Sequence, residues 1–361
     1  MADFTTNSET STSALEYLVG KTVDTILNYS PATLFFLGNQ KKWQGTEMRF
    51  PIKYQANTQG MWYDGLQRFS TTKTNNFINM KFSPTGREIN SVISGMEVDV
   101  NESNKVIDII SRRLESDAQD MASDIATSFY AVQAGLAFNS LTNICDDDTL
   151  TTAATYGGLL RATYTGLQGN YVAIGGNLTL TNMNTEFNAC THGPDSPNLL
   201  IGDKTTWGYY EKLLTPTLST QVSTMAMTGY PSFVGATPGG LPNIVAPGTP
   251  LKGGQGFSAI YYRGKPFVAD EVCPTGYLYF LNTRSINFYG LPSTMEGYKP
   301  VKFYSDTMDS VYNVPVTTGF NFSGFNMPID QYGKVGHILL QGNLIGENPR
   351  LNGVMITITG S

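Results

Sequence analysis

The sequence has little charge. Only 14% of its 361 residues are Asp, Glu, Lys or Arg, against about 25% in average globular proteins. Interface cores are depleted of charged residues, so this composition suits surfaces that meet other proteins, and it also suits a β protein rich in loops. The net charge is −6, and no basic run is longer than Lys41-Lys42 or Arg112-Arg113. The lack of a basic run argues against a sequence-specific nucleic-acid binder.

Cysteine is also scarce. Cys145, Cys190 and Cys273 lie far apart, and no two of them form a CxxC pair. This spacing predicts neither a zinc site nor a disulfide framework. We expect free, mostly buried thiols in a reducing compartment.

Residues that carry catalysis are few. A Ser-His-Asp triad would have to use His192 or His337, and no GxSxG elbow accompanies either. The Gly-rich stretches lack the GK[ST] ending of a phosphate-binding loop. Asp146-Asp147-Asp148 is a candidate cation site, but the spacing of a calcium loop is absent and a solvated surface loop is favoured. We therefore predict no catalytic residue, no cofactor and no metal, and a protein that is not an enzyme.

Long apolar runs are missing. None approaches the roughly 20 residues that a membrane-spanning helix needs. The first residues carry neither a basic nor an apolar signal region. We therefore expect a soluble protein, without a secretory signal or a membrane partner, that is made in a cytoplasm.

One long amphipathic helix is the strongest element present. Between residues 101 and 138, apolar residues recur three, four or seven apart, which predicts one helix with a single apolar stripe. The stripe consists of Val106, Ile110, Leu114, Met121, Ile125, Phe129 and Val132. We expect Asn101 or Ser103 to cap its start and Gly135 to end it. A helix of this length exceeds the usual globular length and must brace something extended.

Residues 46–84 predict a β-arm. Residues 48–54 and 77–82 alternate apolar and polar side chains, which is the strand period. The stretch between them holds Trp62, Tyr63 and Phe69 among turn residues. An extended hairpin cannot bury apolar residues on both faces and needs a partner. An ordinary hairpin lying on its own domain explains the residues equally well.

The remaining segments predict an α+β fold. Residues 1–45 hold a short amphipathic helix that Pro31 should end. We predict a helix ending near Cys190, a buried strand at 197–202, a helix at 205–214, a long loop at 229–256, and strands at 277–282 and 286–288. Residues 291–361 are β-rich, with strands at 337–340, 343–345 and 354–358.

Four segments, in order, resemble the major capsid proteins of tailed bacteriophages, the Hong Kong-97 fold family. The first is residues 156–163, YGGLLRAT. The second is 197–201, PNLLI, followed by Trp207 and Tyr210, with Asn198 where the family more often has Asp. The third runs from 262–270, YRGKPFVAD, through Cys273-Pro274 to 279–282, YFLN. The last is Asn343-Leu344 with residues 348–350, NPR, and Gly353.

The resemblance covers essentially the whole chain and implies a Hong Kong-97-type α+β capsid fold. Its ranges would be an N-terminal arm at 1–45, an E-loop β-hairpin at 46–84, a P-domain with the spine helix at 85–143 and 291–361, and an A-domain at 144–290. It also implies a structural shell protein that self-assembles into pentamers and hexamers around a double-stranded DNA genome. Such a protein would be made in the host cytoplasm and end in the virion head. Scaffolding, portal and decoration proteins are possible further partners, and contact with DNA would be non-specific.

Two sets of site residues follow from this reading. Trp62, Tyr63 and Phe69 would form an inter-subunit contact of the E-loop, and Val106, Ile110, Leu114, Ile125 and Phe129 would form the apolar face of the spine helix. Three alternatives stay open. They are an encapsulin-like compartment shell with the same fold, a hydrolase with an uncharted site, and a receptor-binding or adhesion module, which the long helix disfavours.

Overall fold

The computed structural model describes residues 30–102, 109–151, 153–214, 259–291, 299–300, 320–328 and 331–360. The helix predicted before Pro31 and the loop predicted at 229–256 lie outside these residues. Residues 103–108 also lie outside them. These residues include Ser103, a predicted cap of the long helix, and Val106, the first residue of its predicted apolar stripe.

Short polar side chains begin several of the helices. Ser30, Ser140, Thr179 and Asp203 each accept a hydrogen bond from a backbone N–H in the first turn of the helix that follows, and so stabilise helix starts that otherwise lack intrahelical partners. The helices are α1 (Pro31–Gly38), α2 (Gly95–Glu102), α3 (Ile109–Tyr130), α4 (Leu141–Ile144), α5 (Leu180–Ala189) and α6 (Lys204–Leu213).

Two six-stranded sheets dominate the described chain. The first, sheet I, contains β1 (Lys41–Lys42), β4 (Thr85–Ser94), β12 (Ile286–Gly290), β13 (Lys299–Pro300), β14 (Phe320–Phe322) and β15 (Gly333–Gly346). Its centre is the long strand β15. Along one edge β15 pairs with β4 from Gly333↔Ser94 to Gly342↔Thr85, and it then continues against β12.

Sheet II is assembled from six strands that come from several distant parts of the chain. They are β7 (Asn170–Asn177), β8 (Leu199–Gly202), β9 (Ala259–Tyr262), β10 (Lys265–Ala269), β11 (Leu278–Leu281) and β16 (Gly353–Gly360). Their spatial order is β7-β16-β11-β8-β10-β9. Strands β8 and β11 are buried along their whole length, which is why they read as continuous apolar runs.

Two small hairpins complete the fold. Strands β2 (Met48–Lys53) and β3 (Phe77–Phe82) pair antiparallel, as the alternating sequence predicts. Strands β5 (Thr155–Tyr156) and β6 (Leu159–Leu160) form a tight hairpin through two glycines with positive φ. The buried apolar residues form two clusters, one where α3, the arm and sheet I meet, and one between sheet II and the helices α5 and α6.

The predicted helix at 101–138 is wrong at both described ends. Helical structure already begins at Gly95, so Asn101 lies inside α2 and not at its start. At the other end α3 stops at Tyr130, five residues before the positive-φ Gly135. Val132 is therefore outside the helix and exposed. The chain turns early because Phe138 has to return to the core beside Phe288.

Two further expectations need correction. Pro31 begins α1 at its first position, where its missing N–H costs nothing. The strands predicted at 337–340 and 343–345 are one fourteen-residue strand, β15, because β4 and β12 support it in turn.

Candidate interaction site

The base of the β-arm belongs to the chain's own core. Met80 and Phe82 of β3 are buried. The ring of Phe82 meets Phe50 of β2 and Tyr156 of β5 edge to face, with centroids 6.1 and 5.3 Å apart. Alternation along β2 and β3 therefore points one face of the arm inward at its base.

Gly157 allows the β5–β6 hairpin to pack closely against the base of the arm. A Cβ on Gly157 would lie 2.8 Å from the Cβ of Met80, and its φ of +57° favours glycine. Its carbonyl accepts a hydrogen bond from the Lys81 N–H at 2.9 Å. Residues 156–158, YGG, thus form the surface on which the base of the arm packs. The sequence alone does not predict this contact.

The arm tip, residues 54–76, has its own hydrogen bonds but little apolar support. The Tyr54 hydroxyl donates to the Asn75 carbonyl at 2.7 Å, and the Ser70 hydroxyl donates to Gln59 Oε1 at 2.8 Å. The rings of Tyr63 and Phe69 touch edge to face, with centroids 5.1 Å apart. These contacts order the tip without covering its large side chains.

The three predicted contact residues lie together on this tip and are exposed. Trp62 is fully exposed, while Tyr63 and Phe69 are each 63% exposed. Leu66, 99% exposed, and Met61 belong to the same surface. The sequence analysis missed both, although Leu66 stands beside Gly65 in a predicted turn and was detectable by the same argument. An apolar group of this size on a single chain marks a partner site.

The long helix α3 braces the other side of the fold. Ile125 and Phe129 are buried, and the Phe129 ring packs against Phe36 of α1 and Phe288 of β12. Ile110 and Leu114 lie in α3, whereas Val106 is outside the described residues. The helix therefore contacts the segment before the arm and the centre of sheet I together.

Asp270 joins three distant parts of the chain. This fully buried carboxylate accepts hydrogen bonds from the Ser30 hydroxyl at 2.5 Å and the Tyr130 hydroxyl at 2.7 Å. Its other oxygen accepts from the Val272 N–H at 3.0 Å. Burial raises the pKa of Tyr130 well above its ordinary value, and Asp270 raises it further. Tyr130 therefore stays protonated and remains a donor.

Arg161, which lies in residues 156–163, is fully buried and connects several loops through hydrogen bonds to their backbone carbonyls. Its guanidinium donates to the carbonyls of Asp146, at 2.8 Å, and Leu167, at 3.0 Å, and to that of Asn143. It also stacks over the Tyr156 ring at 4.9 Å. The cation thus holds together the loops that connect α4, the β5–β6 hairpin and sheet II.

The Asp146–Asp148 cluster is structural. Asp146 is buried, not solvated as predicted, because its side chain accepts hydrogen bonds from the Asp148 and Leu150 N–H groups and from the Thr151 hydroxyl. Among the described residues, no group of three or more His, Cys, Asp or Glu side chains is arranged to hold a metal ion.

The two histidines occupy ordinary positions. The backbones of His192 and Asp195 form an isolated antiparallel β-bridge in a turn. His337 lies within β15, with its Nδ1 2.6 Å from a Glu88 carboxylate oxygen across the strands. The Ser323 hydroxyl accepts a hydrogen bond from the backbone N–H of His337 at 2.8 Å. In the described residues, no serine hydroxyl is hydrogen-bonded to the imidazole ring of either histidine. In the part of the chain that the structure covers, no helix is long and apolar enough to cross a membrane.

Glu186 is a buried carboxyl of the second core cluster. It lies on α5, 1% exposed, with the Cys190 thiol 3.7 Å from its Oε1. Burial raises the pKa of Glu186 from its ordinary 4.5 to about 7, although the contact with Cys190 opposes this shift. Cys145, Cys190 and Cys273 are all free and buried, as the sequence predicts.

Two of the solved structures that match this fold are phage-type capsids. The capsid subunit of cyanophage A-1(L) superposes with a TM-score of 0.66 at 14% identity, over 97% of this chain and 99% of that one. The capsid of a native GTA particle gives 0.58 at 11% identity, over 96% of each chain. The chain has the Hong Kong-97 fold. The predicted α+β capsid fold is thereby confirmed.

The same fold includes a compartment shell. The SrpI encapsulin of Synechococcus elongatus PCC 7942 gives a TM-score of 0.55 at 11% identity, over 95% of this chain and 92% of that one. No protein-family model matches the chain, and no curated protein matches its sequence. The likeness is therefore one of fold over nearly the whole length, with little sequence identity.

Proposed function

We propose that this protein is the major capsid protein of a tailed bacteriophage. It self-assembles into pentamers and hexamers that form the icosahedral head shell around the double-stranded DNA genome. The role is structural, not catalytic. The protein is made and assembled in the bacterial cytoplasm and ends in the virion, without a membrane step.

One observation carries the proposal. A chain that matches a phage capsid over almost its full length also has an arm whose tip leaves large apolar side chains mostly exposed, with Trp62 fully exposed. In a shell, a neighbouring subunit covers such side chains. The site residues Trp62, Tyr63 and Phe69 then form part of the contact between subunits.

The domain ranges belong to this proposal. They are an arm at 1–45, an E-loop at 46–84, a P-domain at 85–143 and 291–361 with the spine helix, and an A-domain at 144–290. Sheet membership favours moving β12 to the P-domain and β16 to the A-domain. Scaffolding, portal and decoration proteins are proposed as further partners, and contact with DNA is proposed to be non-specific.

An encapsulin-like shell is the second candidate, because one such shell shares the fold. The higher TM-score of the cyanophage capsid favours the phage head. The two differ in content, since one encloses DNA and the other a protein cargo. Particles from the native source that contain nuclease-protected DNA support the phage head, and particles that contain an enzyme and no DNA contradict it.

Deletion of the arm tip tests the proposal. A chain in which a short Gly-Ser turn replaces residues 57–69 should fold normally, because the arm base and the two core clusters lie elsewhere. It should form no stable shells. Thermal unfolding of the isolated subunit and negative-stain microscopy of assembled material measure the two effects.

A matched pair of substitutions provides the control. Leu66→Ser removes an exposed apolar side chain from the tip, and Leu180→Ser removes one, 44% exposed, from the start of α5. Only Leu66→Ser should impair assembly. Normal shells from the deletion variant, or a stable monomer of the unaltered chain under all salt and crowding conditions, contradict the proposal.

A further inference from the structure

The sequence contains one Asn-Gly pair, Asn352-Gly353. Asparagine is a thermolabile residue type. It is most reactive before glycine, because glycine has no Cβ to keep its backbone nitrogen away from the neighbouring side-chain amide. The pair lies where the short turn at Pro349–Leu351 ends and β16 begins. Its chemistry therefore bears on the strand at the centre of sheet II.

The fold requires an amide side chain at position 352. Asn352 is fully buried. Its Oδ1 accepts a hydrogen bond from the Asn282 N–H at 2.8 Å, and its Nδ2 donates to Ser285 Oγ at 3.1 Å and to the Asn348 carbonyl at 3.0 Å. Among side chains of this size, only asparagine combines this acceptor with two donors. These bonds tie the start of β16 to the turn between β11 and β12.

The fold also requires glycine at position 353. A Cβ on Gly353 would lie 2.2 Å from Glu186 Oε1 and 2.5 Å from Cys190 Sγ. In sheet II the residue pairs with Phe280 of β11 on one side and with Asn170 of β7 on the other. No side chain fits between α5 and the sheet at this point. The packing of the folded chain therefore imposes both members of the reactive pair.

The folded chain holds the pair far from the geometry of reaction. Ring closure requires the Gly353 nitrogen to approach Asn352 Cγ, so the main chain must fold back toward the side chain. Asn352 is instead extended, with φ −126° and ψ 145°. Its carbonyl accepts a hydrogen bond from the Asn170 N–H at 3.0 Å, which fixes this conformation. Reaction in the folded chain therefore needs local opening of β16.

We propose that Asn352 is a spontaneous deamidation site that the folded chain protects and the unfolded chain exposes. The Gly353 nitrogen attacks Asn352 Cγ, the new N–Cγ bond replaces the Cγ–Nδ2 bond, and ammonia leaves with the proton from the Gly353 nitrogen. Water then opens the five-membered ring at either of its carbonyls and leaves aspartate or isoaspartate at position 352. The inference does not depend on the proposed function.

Either product prevents the chain from completing sheet II. Aspartate places a carboxylate oxygen against the Asn348 carbonyl, in a fully buried position where no hydrogen-bond partner of the Asn352 side chain is a cation among the described residues. Burial of such an unpaired charge is strongly unfavourable. Isoaspartate adds one main-chain atom before Gly353 and displaces it from its close contact with Glu186. Deamidation therefore removes chains that stay unfolded from the pool that can still fold.

Peptide mass spectrometry after parallel incubations tests the site. The isolated subunit is kept at slightly alkaline pH with and without enough urea to unfold it, and the peptide that contains residue 352 is followed for replacement of the amide NH2 by OH. Deamidation should be about tenfold or more slower in the folded sample, because only locally opened chains react. Asn343, which Leu344 follows, is the internal control and should react much more slowly than Asn352 in urea.

Refolding of the aged, unfolded sample tests the consequence. After removal of urea, the folded fraction should retain the amide at position 352, and the aggregated fraction should be enriched in the product. Asn352→Asp copies one product and should lower the yield of refolded subunit about tenfold or more. Asn188→Asp is the matched control. Asn188 is exposed and its Oδ1 accepts from Arg263 at 2.8 Å, so an aspartate keeps this bond and should refold at the normal yield.

Each outcome decides one part of the inference. Equal rates of deamidation in the folded and unfolded samples would overturn the protection, and equal rates at Asn343 and Asn352 in urea would overturn the site. If modified chains are as frequent in the refolded fraction as in the aggregate, the effect on folding is overturned. None of these measurements requires shells to form, so failure of this inference is distinct from failure of the proposed function.

Discussion

Trp43 and Trp62 flank the first strand of the arm and have opposite surroundings. Trp43 is 2% exposed, and its indole N–H donates to the Gly45 carbonyl at 2.9 Å. Its backbone N–H also donates to the Gly290 carbonyl of sheet I. Trp62 is 100% exposed, at the arm tip. The same residue type thus belongs to the folded chain at one position and is available to another molecule at the other.

The buried base and the exposed tip of the arm therefore contribute to different properties of the protein. Side chains at the base raise the stability of the single chain, because folding removes them from water. Side chains at the tip contribute nothing of this kind until another surface covers them. The stability of the isolated chain and its assembly should therefore be separable by mutation, and three measurements test this separation.

The largest contrast should come from the two tryptophans themselves. Trp43→Ala should lower the free energy of unfolding by about 3–5 kcal/mol, because it leaves a cavity in the core and an unpaired Gly45 carbonyl. Trp62→Ala should change it by no more than about 0.5 kcal/mol, since its side chain has no cover to lose. Denaturant unfolding of the isolated subunit measures both values. Equal losses at the two positions would show that the tip packs on its own chain.

The contact between Gly157 and the base of the arm provides the next contrast. Gly157→Val should cost about 3 kcal/mol, because the new side chain meets Met80 and the backbone has positive φ. Gly158→Val is the matched control, with φ of +76° but open space around its Cβ. It should cost only the backbone strain, about 1–2 kcal/mol. Equal costs would mean that the close approach to Met80 does not hold the arm in place.

The third contrast is in pH dependence, and it concerns Glu186. A carboxyl whose pKa rises on folding stabilises the folded chain most below its unfolded value of 4.5, and this contribution is lost as the pH rises to about 7. The loss amounts to about 3 kcal/mol. Glu186→Gln should flatten the stability profile across this window and raise stability above it.

The tip-deletion variant serves as the control for that measurement. It lacks no group of the Glu186 cluster, so it should keep the original pH profile of thermal unfolding. A Glu186→Gln profile as steep as the original would place the titrating group elsewhere.

Local patterns predicted the elements that depend on local chemistry. The alternation at 48–54 and 77–82 gave the arm strands, and the apolar run at Leu199–Gly202 gave a buried strand. The stripe through Ile125 and Phe129 gave the central helix. In each case the residues that set the period are the residues that the fold buries.

Features set by distant residues escaped the sequence. Strand β15 is continuous only because β4 and β12, from separate parts of the chain, pair with it in turn. The burial of Arg161 depends on the backbone carbonyls of Asn143 and Asp146, to which its guanidinium donates. The role of Gly157 depends on Met80, which lies far away in sequence. The spacing of residues along the chain does not predict these contacts between distant segments.

The position of β16 has a consequence for the timing of synthesis. This strand sits between β7 and β11, so sheet II stays divided until Gly353–Gly360 has left the ribosome. At about 5–20 residues per second, the facing edge of β11 waits about 4–15 seconds after its own translation. Sheet II therefore closes after translation of its last strand, and a truncated chain that lacks this strand should be captured by chaperones or proteases instead of joining a shell.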